Sequence, residues 1–125
     1  MDAHKRESQI HDVIGAVYEV SNVLGAGFLE KVYSRALARE LRARGIRVET
    51  QVSFPVMYKG ESVGDYFADL LVEGELVVEL KCVDSFVNEH LAQCLNYLRA
   101  SGKHIALLIN FQHPKVEWKR VVLDL

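Results

Sequence analysis

The 125-residue chain has two cysteines, Cys82 and Cys94, and no C-x-x-C spacing between them. That leaves no zinc knuckle and no redox motif, and two buried free thiols in a reducing cytosol are expected. No apolar run approaches the roughly 18–20 residues of a membrane helix, so no membrane association is expected. The N-terminal "MDAHKRESQ" is polar and lacks the apolar segment of a secretory signal. A cytoplasmic location follows as the expectation. Internal repeats, low-complexity segments and linkers are also missing, which points to a single domain over residues 1–125. Net positive charge is lacking as well: the formal charge is −2, which excludes a generally basic nucleic-acid coat. The imbalance is local. Residues 51–100 hold three Lys/Arg against eight Asp/Glu, whereas residues 1–50 hold eight against seven. Any polyanion must therefore meet a local patch, and a cation with it.

What is present reads as alternating helices and strands. Ile10, Val13, Ile14, Val17, Val20 and Leu24 recur at helical spacing over residues ~6–24. Gly25-Ala26-Gly27 breaks that helix. A second runs from about Phe28 to Arg44, with an apolar stripe on one side, Lys31, Arg35, Arg39 and Arg42 on the other, and Gly45 as its stop. Glu40 falls on the apolar stripe, where nothing in the sequence explains it. From Val48 the period becomes two: "VETQVSFPVMY", "SVGDYFADLLV" and "LVVELKCV" are strands separated by the turns "KGE" and "EGE". Asp84 or Ser85 is placed to cap a third helix, "FVNEHLAQCLNYLRA". "HIALLINF" is a buried strand and "VEWKRVVL" the last one. The order α-α-β-β-β-α-β-β implies a mixed sheet with helices packed on it.

The stretch "DLLVEGELVVELK" places Asp69, Glu79 and Lys81 in otherwise apolar strands. A turn centred on Gly74 sets Val72 opposite Leu76 and Asp69 opposite Glu79, at about 4.5–5.5 Å for directly facing side chains. A two-residue turn would shift the register and separate the two acids. Facing carboxylates that are partly buried must share a proton or bind a cation. Mg²⁺ or Mn²⁺ suits such a site, with the Leu80 carbonyl as a further ligand. Lys81 is suited to position an attacking water or to stabilise a developing oxyanion. The plainer reading is a solvated sheet face. Against it stand Leu70, Leu71, Val72, Leu76, Val77, Val78 and Leu80, which make this a central strand pair where unexplained charge is costly.

Two further groups carry weight. Glu30, in the first turn of the second helix, favours the helix macrodipole and also lies at the edge of the inward side, one turn before Tyr33. On the third helix, His90, Gln93 and Tyr97 share a stripe beside Val87, Leu91, Cys94 and Leu98; Gln93 is placed to hydrogen-bond a phosphate or a metal-bound water, although a half-buried boundary gives the same pattern.

Asp69 followed by Glu79-Leu80-Lys81 (E-x-K), in the order α-β-β-β-α-β, resembles the PD-(D/E)XK nuclease superfamily. Gly27-Phe28-Leu29-Glu30-Lys31-Val32-Tyr33 resembles G-x-x-E-x-x-Y, the signature of the GxxExxY protein family within it. The resemblance runs through "HLAQCLNYL" and "LLINF". It implies an α/β PD-(D/E)XK-like core, a mixed central sheet flanked by helices, with an extra N-terminal helix and C-terminal strand. It also implies a divalent-metal phosphodiesterase acting on DNA or RNA. Asp69, Glu79 and Glu30 would be metal ligands, Lys81 the catalytic lysine, and Gln93 and Tyr97 the Q-x-x-x-Y element of RecB-like nucleases. Tyr33, His90, Tyr97, Arg35 and Arg39 are the candidate substrate contacts. Ala68 stands where the superfamily pattern has proline, and Ser21 where many GxxExxY proteins have histidine.

Three functions fit these residues: a metal-dependent nuclease, a non-catalytic nucleic-acid- or protein-binding module on the same fold, and metal-free hydrolysis by two carboxylates. The last leaves Lys81 idle. A second copy of the chain is a candidate partner, since cutting two strands often takes two sites.

Overall fold

The computed structural model describes residues 2–125. Helices α1 (Ala3–Leu24) and α2 (Glu30–Ala43) precede strands β1 (Val48–Tyr58), β2 (Glu61–Val72) and β3 (Leu76–Lys81). Helix α3 (Asn88–Ser101), β4 (Ile105–Asn110) and β5 (Glu117–Val122) complete the chain. The five strands lie in the order β1-β2-β3-β4-β5, antiparallel except for the β3–β4 pair joined through α3. This is the expected mixed α/β sheet with helices on it. No helix among the described residues is long and apolar enough to cross a membrane.

One core forms between the sheet and α1/α2, where Val13, Val17, Tyr33, Leu37 and Leu41 meet Leu70, Val78, Leu80, Leu107 and Ile109. The second lies under α3, where Cys94, Tyr97 and Leu98 meet Leu71, Val77, Ala106 and Leu108. The strands β3 and β4 are covered on both faces, which is why they read as continuous apolar runs.

Helix boundaries differ from the sequence reading for identifiable reasons. Asp2 caps α1 by accepting from the Lys5 amide at 2.8 Å, so the helix starts earlier than residue 6. Leu29 is extended and occupies the N-cap of α2, which starts it at Glu30 rather than Phe28 and leaves Glu30 as the one acid of its first turn. Neither Asp84 nor Ser85 caps α3. Val87 takes that position, and its amide donates to His90 Nδ1 at 3.1 Å. Glu40 pairs with Arg44 at 2.8 Å, one turn on, which accounts for an acid beside an apolar stripe.

Tyr33 fastens the break between α1 and α2. Fully buried and stacked on Phe111 at 4.5 Å, it donates its hydroxyl proton to the Gly25 carbonyl at 2.6 Å and accepts from the Phe28 amide at 3.2 Å. Tyr33→Phe leaves both backbone groups without that partner. Denaturant unfolding is expected to show a loss of about 1–3 kcal/mol.

Candidate active site

The hairpin register, Val72 opposite Leu76, is the one drawn from the turn and is reached by a different route, but the pairing ends before Asp69 and Glu79. Glu73 and Gly74 both have positive φ, 53° and 69°, and the Glu75 amide donates to the Val72 carbonyl at 3.0 Å. That is a two-residue turn. Yet the ladder resumes with Val72 opposite Leu76, so Glu75 is an extra, bulged residue that restores the pairing. Glu73 is held in its left-handed conformation by the Arg47 amide, which donates to its carboxylate at 2.8 Å.

The β2–β3 ladder runs from Val72↔Leu76 to Leu70↔Val78 and stops. At the next step the Asp69 carboxylate replaces a backbone acceptor: its Oδ2 accepts from the Leu80 amide at 2.8 Å. β2 parts from β3 here and continues with β1 as a two-stranded arm. Side-chain alternation breaks at the same point. Leu70 and Val72 pack under α1/α2, whereas Tyr66 and Ala68, of the same parity, pack under α3. Gln51, the residue across β1 from Asp69, has φ of 52°. A left-handed glutamine within a strand is strained, and it lets both strands turn over together without losing register.

The parting of β2 and β3 opens a cleft of about 270 Å³ lined by Asp65, Tyr66, Phe67, Glu79, Lys81 and Gln93. On the α2 side a larger cleft of about 520 Å³ is lined by Glu30, Lys31, Ser34, Arg35, Thr50, Gln51 and Asp69. A third of about 510 Å³, between the arm and α3, has no carboxylate in its wall. Volume alone therefore does not mark the site; the acids do.

Glu79 is the least satisfied group of the set. Its Oε1 is buried without a hydrogen-bond partner among the described residues. Burial, then the neighbouring Asp69 charge, pushes its carboxyl up to about 8, against the opposing pull of the Lys81 ammonium. Asp69 is also raised, by burial, with the Leu80 amide and Lys81 pulling the other way. Two carboxyls both raised by burial, beside a lysine, are groups whose charged forms a cation would favour. The donor set fits a hard divalent ion: carboxylate oxygens, one of them unpartnered. It is not a finished cage, since among the described residues no three His, Cys, Asp or Glu side chains converge as a metal site. Glu30 is exposed, lines the larger cleft with Asp69, and lies near enough for its charge to push the Glu79 carboxyl further up.

The remaining candidates separate. Gln93 is exposed and shares the smaller cleft with Glu79 and Lys81. Arg35 borders the larger cleft. Arg39 lies instead beside Glu19, Val20, Val23, Leu24, Ala36 and Glu40 between α1 and α2, away from the acids. Tyr33 and Tyr97 are fully buried, and the Tyr97 hydroxyl donates to the Val52 carbonyl at 3.0 Å. Neither tyrosine exposes surface to a substrate, and both hydroxyls are engaged with backbone carbonyls. His90 is likewise engaged at Nδ1 as the α3 cap. Cys94 is buried and free, and burial pushes its thiol up to about 12; Cys82 is only half-buried.

Asn110 escaped the sequence reading. Buried at 1% exposure, it donates to the Val83 carbonyl at 2.8 Å and accepts from the Val83 and Gln112 amides, each at 3.1 Å. It ties the exit of β3 to the exit of β4 just beyond Lys81. An asparagine ending an apolar strand is the one signal that points to it.

An acid at a ladder end, an acid and a lysine two residues apart on the adjoining central strand, and helices on both faces define an α/β fold of nuclease type. The chain belongs to the PD-(D/E)XK nuclease superfamily, whose family model matches residues 7–121. Nucleases of this superfamily generally depend on a divalent metal. Among solved structures, an alkaline exonuclease (LHK-Exo) from Laribacter hongkongensis is similar at a TM-score of 0.55 and 15% identity, covering 75% of this chain and 55% of that one. The same exonuclease in complex with dAMP gives 0.55 and 17%, over 75% and 54%. The protein SSO0001 gives 0.59 and 20%, over 97% and 61%. At these identities the likeness shows the fold, and the chain spans between 54% and 61% of the length of these structures. No curated protein matches it.

Proposed function

We propose that the chain is a Mg²⁺- or Mn²⁺-dependent nuclease of the GxxExxY type that hydrolyses phosphodiester bonds in DNA or RNA. The observation that carries the reading is Glu79: a half-buried carboxylate with one buried oxygen unpartnered among the described residues, beside Asp69 and Lys81, where the central strands part. Asp69 and Glu79 would hold the metal, with Glu30 and the Leu80 carbonyl as further ligands. When bound, the metal supplies Lewis acidity and a water of lowered pKa.

The chain's own residues do the rest. The Asp69 carboxylate is fixed by the Leu80 amide, so one oxygen is pinned and the other is free to bind. Lys81, on the same strand as Glu79, orients the attacking water and stabilises negative charge on the phosphoryl oxygens. Gln93, across the cleft on α3, hydrogen-bonds a non-bridging oxygen or that water. The exonuclease among the structures of this fold agrees with phosphodiester chemistry. A non-catalytic module is favoured by one observation, the lack of a third converged acid among the described residues.

Labelled single- and double-stranded DNA and RNA, incubated with the protein in Mn²⁺, Mg²⁺ or EDTA, separate the two. Cleavage is expected with either metal, none in EDTA, and a loss of about a thousandfold or more in Asp69→Asn, since removing one preorganised group alone costs about 10²–10³. Cleavage that persists in EDTA contradicts the metal dependence, and cleavage undiminished in Asp69→Asn contradicts the placing of the site at Asp69. Metal binding with no cleavage of any of these substrates places the protein in the second class.

A further inference from the structure

Phe67 has no structural task that explains its exposure. It lies on β2 two residues before Asp69, across the ladder from Ser53, and is 56% exposed. Its neighbours Tyr66 and Ala68 are packed under α3, Tyr66 with its ring 6.3 Å from that of Tyr97. Phe67 instead lines the smaller cleft together with Glu79, Lys81 and Gln93. A polar residue at this outer strand position would avoid the cost of exposed apolar surface. On the far side of Asp69, the larger cleft presents Lys31 and Arg35, both exposed and neither ion-paired among the described residues. The carboxylates thus have a basic wall on one side and an aromatic face on the other.

Building on the nuclease reading, we infer that these two walls form a track for an unpaired strand: Phe67 stacks on the base of a nucleotide next to the scissile phosphate, and Lys31 and Arg35 hold the phosphate on the other side. Stacking is open to any base but needs a free π-face, which a paired base inside a duplex does not offer. The cleft that Phe67 lines is open to solvent and also presents Glu79, Lys81 and Gln93, so a base stacked on the ring would sit beside the carboxylates. The substrate class is therefore single-stranded nucleic acid, or a duplex end that has frayed.

The test measures binding rather than turnover. Fluorescence anisotropy of the full chain is read with a labelled oligo-dT strand and with a blunt hairpin duplex, in Ca²⁺ and in EDTA. The single strand is expected to bind at least about tenfold more tightly than the duplex. Phe67→Ala weakens that binding by about tenfold and leaves the duplex unchanged, the scale of one stacked base. Phe67→Trp keeps the affinity, and its added emission is quenched when the strand binds. The double substitution Lys31→Gln/Arg35→Gln weakens binding and flattens its salt dependence. Equal affinity for strand and duplex, no binding to either, or an affinity indifferent to Phe67→Ala overturns the track. So does a result in which Phe67→Ala changes only self-association, which would make this face a protein contact. Because no cleavage is read, failure here leaves the metal-dependent reading standing, and failure of cleavage leaves the track standing.

Discussion

With metal chelated, the protein loses stability as the pH rises from about 5 to about 8, and Glu79→Gln removes most of that loss. Glu79 titrates near 8 in the folded chain against an ordinary 4.5. Below pH 4.5 the group is neutral in both states and has no effect on stability. Between the two values the unfolded chain releases the proton and the folded chain keeps it, so stability falls with rising pH; above about 8 it levels off. At about 1.4 kcal/mol per unit, the drop is at most about 5 kcal/mol. Asp69, raised in the same direction, contributes with the same sign. Glu79→Gln and Glu79→Met keep the volume without the proton, so both are expected to be more stable than the parent at pH 8 in EDTA. Mn²⁺ is expected to restore the parent by mass action and to do nothing for the variants. Urea unfolding at pH 5, 6.5 and 8 reads this directly. A flat profile in the parent would mean that the Glu79 carboxylate finds a partner in solution.

Lys81→Ala is expected to lower the single-turnover cleavage rate by about 10²–10³ while changing Mn²⁺ affinity much less, because the lysine acts on transition-state charge and is not a metal ligand. The substitution has a second consequence. The Lys81 ammonium holds the Glu79 and Asp69 carboxyls down against burial. Its removal raises both further, so the pH-dependent loss of stability in EDTA extends to higher pH. Lys81→Arg keeps the charge and is expected to keep that pH profile near the parent's. Its rate still falls, because the guanidinium places its donors differently. A Lys81→Ala variant that cleaves at the parent rate would leave the lysine an electrostatic support alone.

Most of the architecture was legible because alternation and turn residues are local signals. Gly74 and the apolar residues around it were enough to set Val72 opposite Leu76. Harder to see was where a ladder stops. Periodicity continues through "ADLLV" without a mark, yet at Asp69 the strands part, alternation reverses, and Gln51 takes up a left-handed conformation opposite it. The site is open because of that break, not because a face of the sheet is solvated. Polar-tipped aromatics misled for a related reason. A helical stripe of His90, Gln93 and Tyr97 looks like one surface, but the Tyr97 hydroxyl is spent on the Val52 carbonyl and His90 on the helix end. Only Gln93 reaches the cleft. Glu30 matched a motif, and the fold sets it on a rim shared with Asp69, where its charge also reaches Glu79.

Calorimetric titration of Mn²⁺ into the purified protein at pH 7.5 tests most directly whether the parted central strands hold a divalent cation. Saturable binding of one or two ions per chain is expected, with protons released as Glu79 ionises, and with binding lost in both Asp69→Asn and Glu79→Gln. No binding in the parent, or binding that survives both substitutions, would contradict it.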